Sequence, residues 1–211
     1  MKTKRKILII PAVILSALIL IVITIFTFIH FADWGFARQI PFAEQLRRLH
    51  TVHTAENWLG VREGYGGHEQ IIQIYNSHEP LAQGYCVTVD DSWCAAFGST
   101  VAIQCKLTDI IPTECGCERQ IGLWKETGRW EENDNYMPLP GDYIYYAWDE
   151  RQIFGDCTGW ADHVGIVVGT AGPFIKVIEG NKDDMVAYRT ILRGDYRIRG
   201  YGLPDYEAMI P

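Results

Sequence analysis

The chain has 211 residues, a length that fits one globular domain with short additional segments. Its formal net charge is −7 at pH 7, and no cluster of Lys and Arg follows residue 6. Because phosphate binding needs a concentrated basic surface, this charge pattern argues against a nucleic-acid partner.

Residues 1–29 have the pattern of a membrane anchor. Residues 1–6 form a basic tail, MKTKRK, and residues 7–29 are an uncharged apolar run. As a helix this run spans roughly 35 Å, enough to cross a hydrocarbon core of about 30 Å. We therefore predict a single-pass transmembrane helix that leaves the tail in the cytoplasm and places the rest of the chain outside the cytoplasmic membrane. The alternative is a cleaved signal peptide, which normally has a shorter apolar run ending in a small-x-small site.

The chain that follows has a helical pattern at first. Residues 30–53 are interpreted as a membrane-proximal spacer and residues 54–211 as the main domain. Apolar residues between positions 42 and 58 recur at nearly helical spacing, so the spacer is expected to be helical and to run into the domain. The segment HEQIIQIYNS, residues 68–77, predicts a short second helix.

A third helix is predicted in the segment DDSWCAAFGSTVAIQC, residues 90–105, where apolar residues recur every three to four positions with small residues between them. Asp90, Asp91 and Ser92 are all suitable N-cap residues. Cys94 is thus expected in the first turn of a largely buried helix. Gly98 indicates a close approach to another backbone.

The second half of the domain changes to the alternating pattern of strands. Strands are predicted in PLPGDYIYYAW, DHVGIVVG, FIKVIEGN, MVAYRTI and RIRGYGLP. The Gly-Pro turn at residues 172–173 predicts that the second and third of these form an antiparallel hairpin. Helices first and strands afterwards indicate an α+β domain over roughly residues 54–204.

The six cysteines leave the state of Cys94 open. Disulfides persist in exported domains, so Cys94 can be a disulfide half, a small core residue or a nucleophile. Cys115 and Cys117 lack the second ligand pair that a zinc site normally has. We interpret them as disulfide partners of cysteines elsewhere in the chain.

A thiol acts as a nucleophile in its thiolate form, which the first turn of a helix favours. A histidine is the natural group to accept and return the proton, and His163 begins a strongly apolar strand. If that strand pairs antiparallel with the next, Glu179, or Asn181 just after it, comes within reach of the imidazole. Each residue alone also has a structural explanation, but their combination favours catalysis.

Four motifs in this order resemble the CHAP family, the cysteine, histidine-dependent amidohydrolases/peptidases: WCAAF, PGD before a strand, DHVGIV and IEGN. The resemblance covers about residues 54–204 and implies a papain-like α+β fold, with the nucleophile helix packed on a small antiparallel sheet. By motif position it implies that Cys94 is the nucleophile and His163 the base. Glu179 then matches the polar third member, with Asn181 as the alternative. Members of this family cleave amide bonds in peptidoglycan.

The sequence therefore predicts a membrane-anchored cysteine amidase or endopeptidase that acts on peptidoglycan and needs no metal or cofactor. Its expected partners are the peptide stems or cross-bridges of peptidoglycan and, through the N-terminal helix, the cytoplasmic membrane. One alternative is a non-catalytic wall-binding or assembly module on the same scaffold. Another is an acyl transferase like the transglutaminases.

Overall fold

The computed structural model describes residues 14–25, 35–36, 38–148 and 157–208. The chain divides into two compact units, residues 1–33 and residues 34–211. In the first unit, residues 14–25 are helical and exposed. No helix within the described ranges is long and apolar enough to cross a membrane. The anchor predicted at residues 7–29 extends on both sides beyond the described residues and stays a prediction.

The helices of the second unit precede its strands, as predicted, but the helix at Cys117–Glu126 was not predicted. They are α1 (Phe42–Glu56), α2 (His68–Asn76), α3 (Cys94–Cys105) and α4 (Cys117–Glu126), with a short 3-10 turn at Ala82–Gly84. Helix α1 runs across the predicted boundary between residues 53 and 54. It buries Val52 and Ala55, so it is part of the packed unit.

The strands form one antiparallel sheet of six strands in the order β1-β6-β2-β3-β4-β5. Their bounds are β1 (Trp130–Glu131), β2 (Tyr143–Tyr146), β3 (His163–Ala171), β4 (Phe174–Lys182), β5 (Met185–Leu192) and β6 (Ile198–Gly202). Ala171 pairs with Phe174 across the Gly172-Pro173 turn, which confirms the predicted hairpin of β3 and β4. The predicted α+β class is also confirmed. Strand β1 was not predicted, because two residues are too few to show an alternating pattern.

Helix α3 is rich in apolar and small residues and is buried along most of its length. Its small residues allow this close packing. A Cβ added at Gly98 would lie 2.9 Å from Cε1 of Tyr143, and one added at Gly180 would lie 2.5 Å from Cβ of Phe97. Gly98 thus admits an aromatic ring of β2 rather than the backbone that the sequence suggested. The Tyr143 hydroxyl also donates a hydrogen bond of 2.8 Å to the Gly98 carbonyl, which fixes α3 on β2, the strand beside the one that carries His163.

A buried ion pair joins α1 to the turn before β2. Nη1 of Arg48 lies 2.7 Å from Oδ1 of Asp142 and also donates to the carbonyl of Pro140. The other Asp142 oxygen accepts the Leu139 backbone N–H at 2.8 Å, so this carboxylate holds the PGD turn closed. Since β2 lies beside β3, the contact also fixes the sheet around His163.

Candidate active site

Cys94 is the first residue of α3, as predicted, and is 5% exposed. The backbone N–H groups in the first turn of a helix have no intrahelical acceptor, so they favour an anion at this position. The predicted side-chain cap is wrong, because Trp93 occupies the N-cap position and makes no such bond. The structure instead uses Asp91 in the preceding loop. Its Oδ2 accepts hydrogen bonds from the backbone N–H and hydroxyl of Thr88 and from the hydroxyl of Tyr85.

His163 begins β3 directly beside the end of β2, where it pairs with Tyr146. The two rings stack, with their planes 25° apart. Nε2 of His163 lies 3.1 Å from Oε2 of Glu179 on β4. An ionised carboxylate can only accept a hydrogen bond, so this contact assigns the proton to Nε2. Nδ1 is left as the nitrogen that can exchange a proton with Cys94.

Glu179 is fully buried, and Arg189 of β5 neutralises it. Nε of Arg189 lies 2.6 Å and 2.9 Å from the two carboxylate oxygens. Burial opposes ionisation of Glu179, but the hydrogen bonds and positive charges of His163 and Arg189 outweigh it and lower the pKa of the carboxyl group. Glu179 is therefore a carboxylate at neutral pH and stabilises a protonated imidazole.

Asn181 is not the residue that is hydrogen-bonded to the His163 imidazole. Its backbone is left-handed, with φ of 56°, and it lies where the pairing of β4 and β5 shifts between Glu179 and Lys182. In the described part of the chain, the His163 ring is hydrogen-bonded to Glu179 and not to Asn181. Of the two residues that the sequence left open, Glu179 is the one that the fold brings to the imidazole.

Cys117, the first residue of α4, is a neighbour of Cys94 that sequence reasoning missed. The two Sγ atoms lie 3.6 Å apart, and Cys117 is 7% exposed. The hydrogen bond with Cys117 is the largest influence on the Cys94 thiol and lowers its pKa well below the usual value. Burial opposes this shift, and His163 adds to it. The same contact, together with burial, raises the pKa of Cys117, and the two directions favour Cys117 as the donor and Cys94 as the thiolate.

The charge on Cys94 and the charge on His163 stabilise each other. Burial alone would lower the pKa of His163, but hydrogen bonds and charge interactions with Cys94 and Glu179 raise it to about 10. Both pKa directions favour a thiolate at Cys94 and a protonated imidazole at His163 over the neutral pH range. This is the reactive state of a nucleophilic cysteine whose partner can act as a general acid.

The disulfides predicted for Cys115 and Cys117 are not present in this structure. Cys86, Cys94, Cys105, Cys115 and Cys117 are free thiols. Sγ of Cys115 lies 3.5 Å from the Glu114 carboxylate, whereas Cys117 faces Cys94. The spacing of cysteines in a sequence does not define which of them meet, because the loop between α3 and α4 decides that.

A cavity of about 540 Å³ lies beside the first turns of α3 and α4. Its walls include Tyr85, Asp91, Ser92, Cys115, Gly116 and Arg119. Ser92 is two residues before Cys94, and Gly116 directly precedes Cys117. The cavity is thus lined by residues next to both thiols in the sequence, while Cys94 and Cys117 themselves are not among its lining residues.

The cavity carries one charged group of each sign. The hydrogen bonds from Thr88 and Tyr85 lower the pKa of Asp91, so its carboxylate is ionised. Nη2 of Arg119 lies 2.9 Å from Oε1 of the buried Glu114. The Arg119 guanidinium also lies against Gly116, where an added Cβ would come within 2.6 Å of Nη2.

No family model matches the chain, and no similar protein is found among the curated proteins or the solved structures.

Arg189 and Arg119 were also missed from the sequence. A signal for Arg189 exists in the alternation of β5. It pairs with Val177, two residues before Glu179 on β4, which places it on the same face as Glu179. Arg119 has no comparable signal, because its position depends on the path of the loop around Glu114.

Proposed function

We propose that this chain is a papain-like cysteine amidase or endopeptidase of the CHAP type, acting on amide bonds of peptidoglycan outside the cytoplasmic membrane. The observation that carries the proposal is the arrangement of Cys94, His163 and Glu179. A thiolate in the first turn of a buried helix is coupled to an imidazole, and a buried carboxylate holds the other nitrogen of that imidazole.

In the acylation step, the Cys94 thiolate attacks the carbonyl carbon of the scissile amide. The developing oxyanion lies near the first turn of α3, where the backbone N–H of Cys94 is a candidate donor. His163 then gives its Nδ1 proton to the leaving amine. The C–N bond breaks, and a thioester to Cys94 remains.

In the deacylation step, neutral His163 takes a proton from water, and the water oxygen attacks the thioester. The acid product leaves, and the thiolate–imidazolium pair is restored. Through both steps Glu179 keeps the Nε2–H tautomer in place, and Arg189 keeps Glu179 ionised. Arg189 is thus a positioning residue that acts through Glu179.

The cavity next to the N-terminal ends of α3 and α4 suits a substrate that carries charged groups. Arg119 has Nη1 and Nε available beyond its contact with Glu114, and a guanidinium matches a carboxylate with paired hydrogen bonds. Asp91, which also lines the cavity, offers a carboxylate to an ammonium group. Peptidoglycan peptides contain both groups. The assignment to peptidoglycan also rests on the four motifs and on the predicted anchor.

The test compares the full-length wild-type chain with Cys94→Ala. Cys105→Ala is the matched control, because Cys105 is a buried thiol at the other end of the same helix. Each protein is incubated with purified peptidoglycan, and new amines and muropeptides are identified by mass spectrometry. We expect release by wild type and Cys105→Ala and none by Cys94→Ala.

Two results would overturn the proposal. Equal release by Cys94→Ala would remove Cys94 from the chemistry. No release by any protein, combined with a Cys94 that iodoacetamide cannot alkylate, would favour a non-catalytic wall-binding module. An added amine that becomes joined to the peptide would instead indicate an acyl transferase.

A further inference from the structure

Cys94 and Cys117 bring two thiols together at the first turns of two different helices. Their Sγ atoms lie 3.6 Å apart, and both side chains are nearly buried. A disulfide bond is about 2.05 Å long, so the sulfurs must approach by roughly 1.5 Å to bond. Small changes in the side-chain torsions of two adjoining helix termini can supply a movement of this size.

We propose that Cys94 and Cys117 are a modification site, which a small disulfide-bearing oxidant converts into an intramolecular disulfide. The predicted location outside the cytoplasmic membrane is a compartment where disulfides persist. The consequence for catalysis rests on the proposed function, because the bond would occupy the nucleophile. The thiol chemistry itself is independent of that function.

The two thiols have the complementary states that the exchange needs. The Cys94 thiolate attacks one sulfur of an oxidant RSSR, which forms a mixed disulfide and releases RS⁻. Cys117 then loses its proton and attacks Sγ of Cys94, which breaks the mixed disulfide and releases the second RS⁻. The Cys117 proton and the proton held by His163 convert the two departing RS⁻ groups to RSH. The protein loses two electrons, and the oxidant disulfide is reduced to two thiols.

Cys115 and Cys105 are less suited than Cys94 to react with the oxidant. Cys115 lies beside the Glu114 carboxylate, and burial raises the pKa of its thiol. Cys105 lies at the far end of α3, and burial likewise raises the pKa of its thiol. Thiols with raised pKa values compete poorly for a disulfide oxidant at neutral pH. The exchange is therefore expected to be specific for the pair at the site.

The experiment uses the full-length chain in detergent, with oxidised glutathione as the probe. Wild type, Cys117→Ser and Cys117→Ala are compared with Cys115→Ser, a matched control that removes a thiol two residues away. After oxidation, remaining thiols are blocked with iodoacetamide, and the disulfide-linked peptides are identified by mass spectrometry. Alkylation of Cys94 is measured before and after the addition of dithiothreitol.

We expect the Cys94–Cys117 peptide pair in wild type and in Cys115→Ser, with alkylation of Cys94 reduced at least about tenfold and restored by dithiothreitol. Both Cys117 variants should instead accumulate glutathione on Cys94. If wild type also accumulates glutathione on Cys94, or joins Cys94 to another cysteine, the proposal is overturned.

Peptidoglycan release is measured on the same samples. Loss of release on oxidation and its recovery on reduction would support the regulatory consequence. Absence of release from the reduced protein would contradict the proposed function alone, because the peptide pair is detected without reference to activity.

Discussion

Nε2 of His163 lies 3.1 Å from Oε2 of Glu179, and the same carboxylate is held by Nε of Arg189. The contact fixes the imidazole tautomer and leaves Nδ1 for Cys94. It also decides between the two polar residues that end the IEGN motif, because Glu179 and not Asn181 bonds the ring. The role of each residue can therefore be separated by substitution.

We expect Glu179→Gln to lower the turnover of a peptidoglycan substrate by about 10²- to 10⁴-fold. An amide cannot stabilise the imidazolium as a carboxylate does, and it leaves the charge of Arg189 unpaired. Asn181→Gly is the matched control, because glycine adopts the left-handed backbone of Asn181 without strain. Its activity should stay within a few-fold of wild type. A large loss in Asn181→Gly with little loss in Glu179→Gln would reverse the assignment.

The sequence predicted the parts of this site that depend on local pattern. Helical periodicity placed Cys94 in a first turn, and strand alternation with the Gly172-Pro173 turn brought Glu179 to His163. The predicted N-cap was wrong because the Asp91 carboxylate accepts hydrogen bonds from Thr88 and Tyr85, which precede it in the same loop. Whether the Asp91 side chain caps the helix or bonds within its own loop depends on the path of that loop, which the sequence does not show.

The contacts that sequence reasoning missed are long-range in character. Cys117 reaches Cys94 because the segment between α3 and α4 turns the start of α4 toward the start of α3. That segment has no periodic pattern, and its course depends on contacts such as the one between Ser99 and the Glu114 backbone. Cysteine spacing alone favoured disulfides, whereas the fold leaves two thiols side by side.

The ion pair predicts a distinctive pH dependence for Cys94. Its lowered pKa means that alkylation by iodoacetamide stays fast at neutral pH and slows only as acid protonates the thiolate. Cys117→Ala removes the donor that contributes most to this shift, so the acidic limb should move to higher pH. Turnover should fall again in alkali, as His163 loses its proton with a pKa of about 10 and can no longer protonate the leaving amine.

The acidic limb is measured by mass spectrometry of the alkylated Cys94 peptide, and the alkaline fall in turnover is measured by the release of peptidoglycan fragments. Cys105→Ala is the control, and its profile should coincide with that of wild type. An acidic limb that stays in place in Cys117→Ala would show that Cys117 does not stabilise the thiolate. Alkylation of wild type that rises only above the usual pKa of a thiol would contradict the ion pair.

The close packing of α3 on β2 predicts a stability difference between two helical glycines. Gly98→Ala should reduce the free energy of unfolding by about 1–3 kcal/mol, since its Cβ would lie 2.9 Å from the Tyr143 ring. Gly122→Ala in α4 meets nothing within 4 Å and should increase it by up to about 1 kcal/mol, because alanine favours the helix. Urea unfolding of both variants tests this. Equal effects of the two substitutions would contradict the packing of α3.

Arg119 predicts a preference for substrates with a free carboxylate near the scissile bond. Its guanidinium borders the cavity next to the N-terminal ends of α3 and α4 and is held in place by Glu114. A hydrogen bond between charged groups contributes about 1.5–3 kcal/mol, so Arg119→Gln should lower kcat/KM about ten- to hundredfold for a stem peptide with a free carboxylate. For the same peptide with that carboxylate amidated, Arg119→Gln should change kcat/KM little. On the free-carboxylate peptide, Arg119→Lys keeps the charge but loses the paired geometry, so its kcat/KM should lie between those of wild type and Arg119→Gln.

The comparison uses synthetic stem peptides and includes Arg62→Gln, which removes an exposed arginine outside this cavity. Melting temperatures are measured alongside, since Arg119→Gln also leaves the buried Glu114 carboxylate without its ion pair. Equal losses of kcat/KM on both peptides, with a lowered melting temperature, would indicate that Arg119 only stabilises the loop around Glu114. A loss confined to the free carboxylate, in a variant that still melts normally, would assign Arg119 to substrate binding.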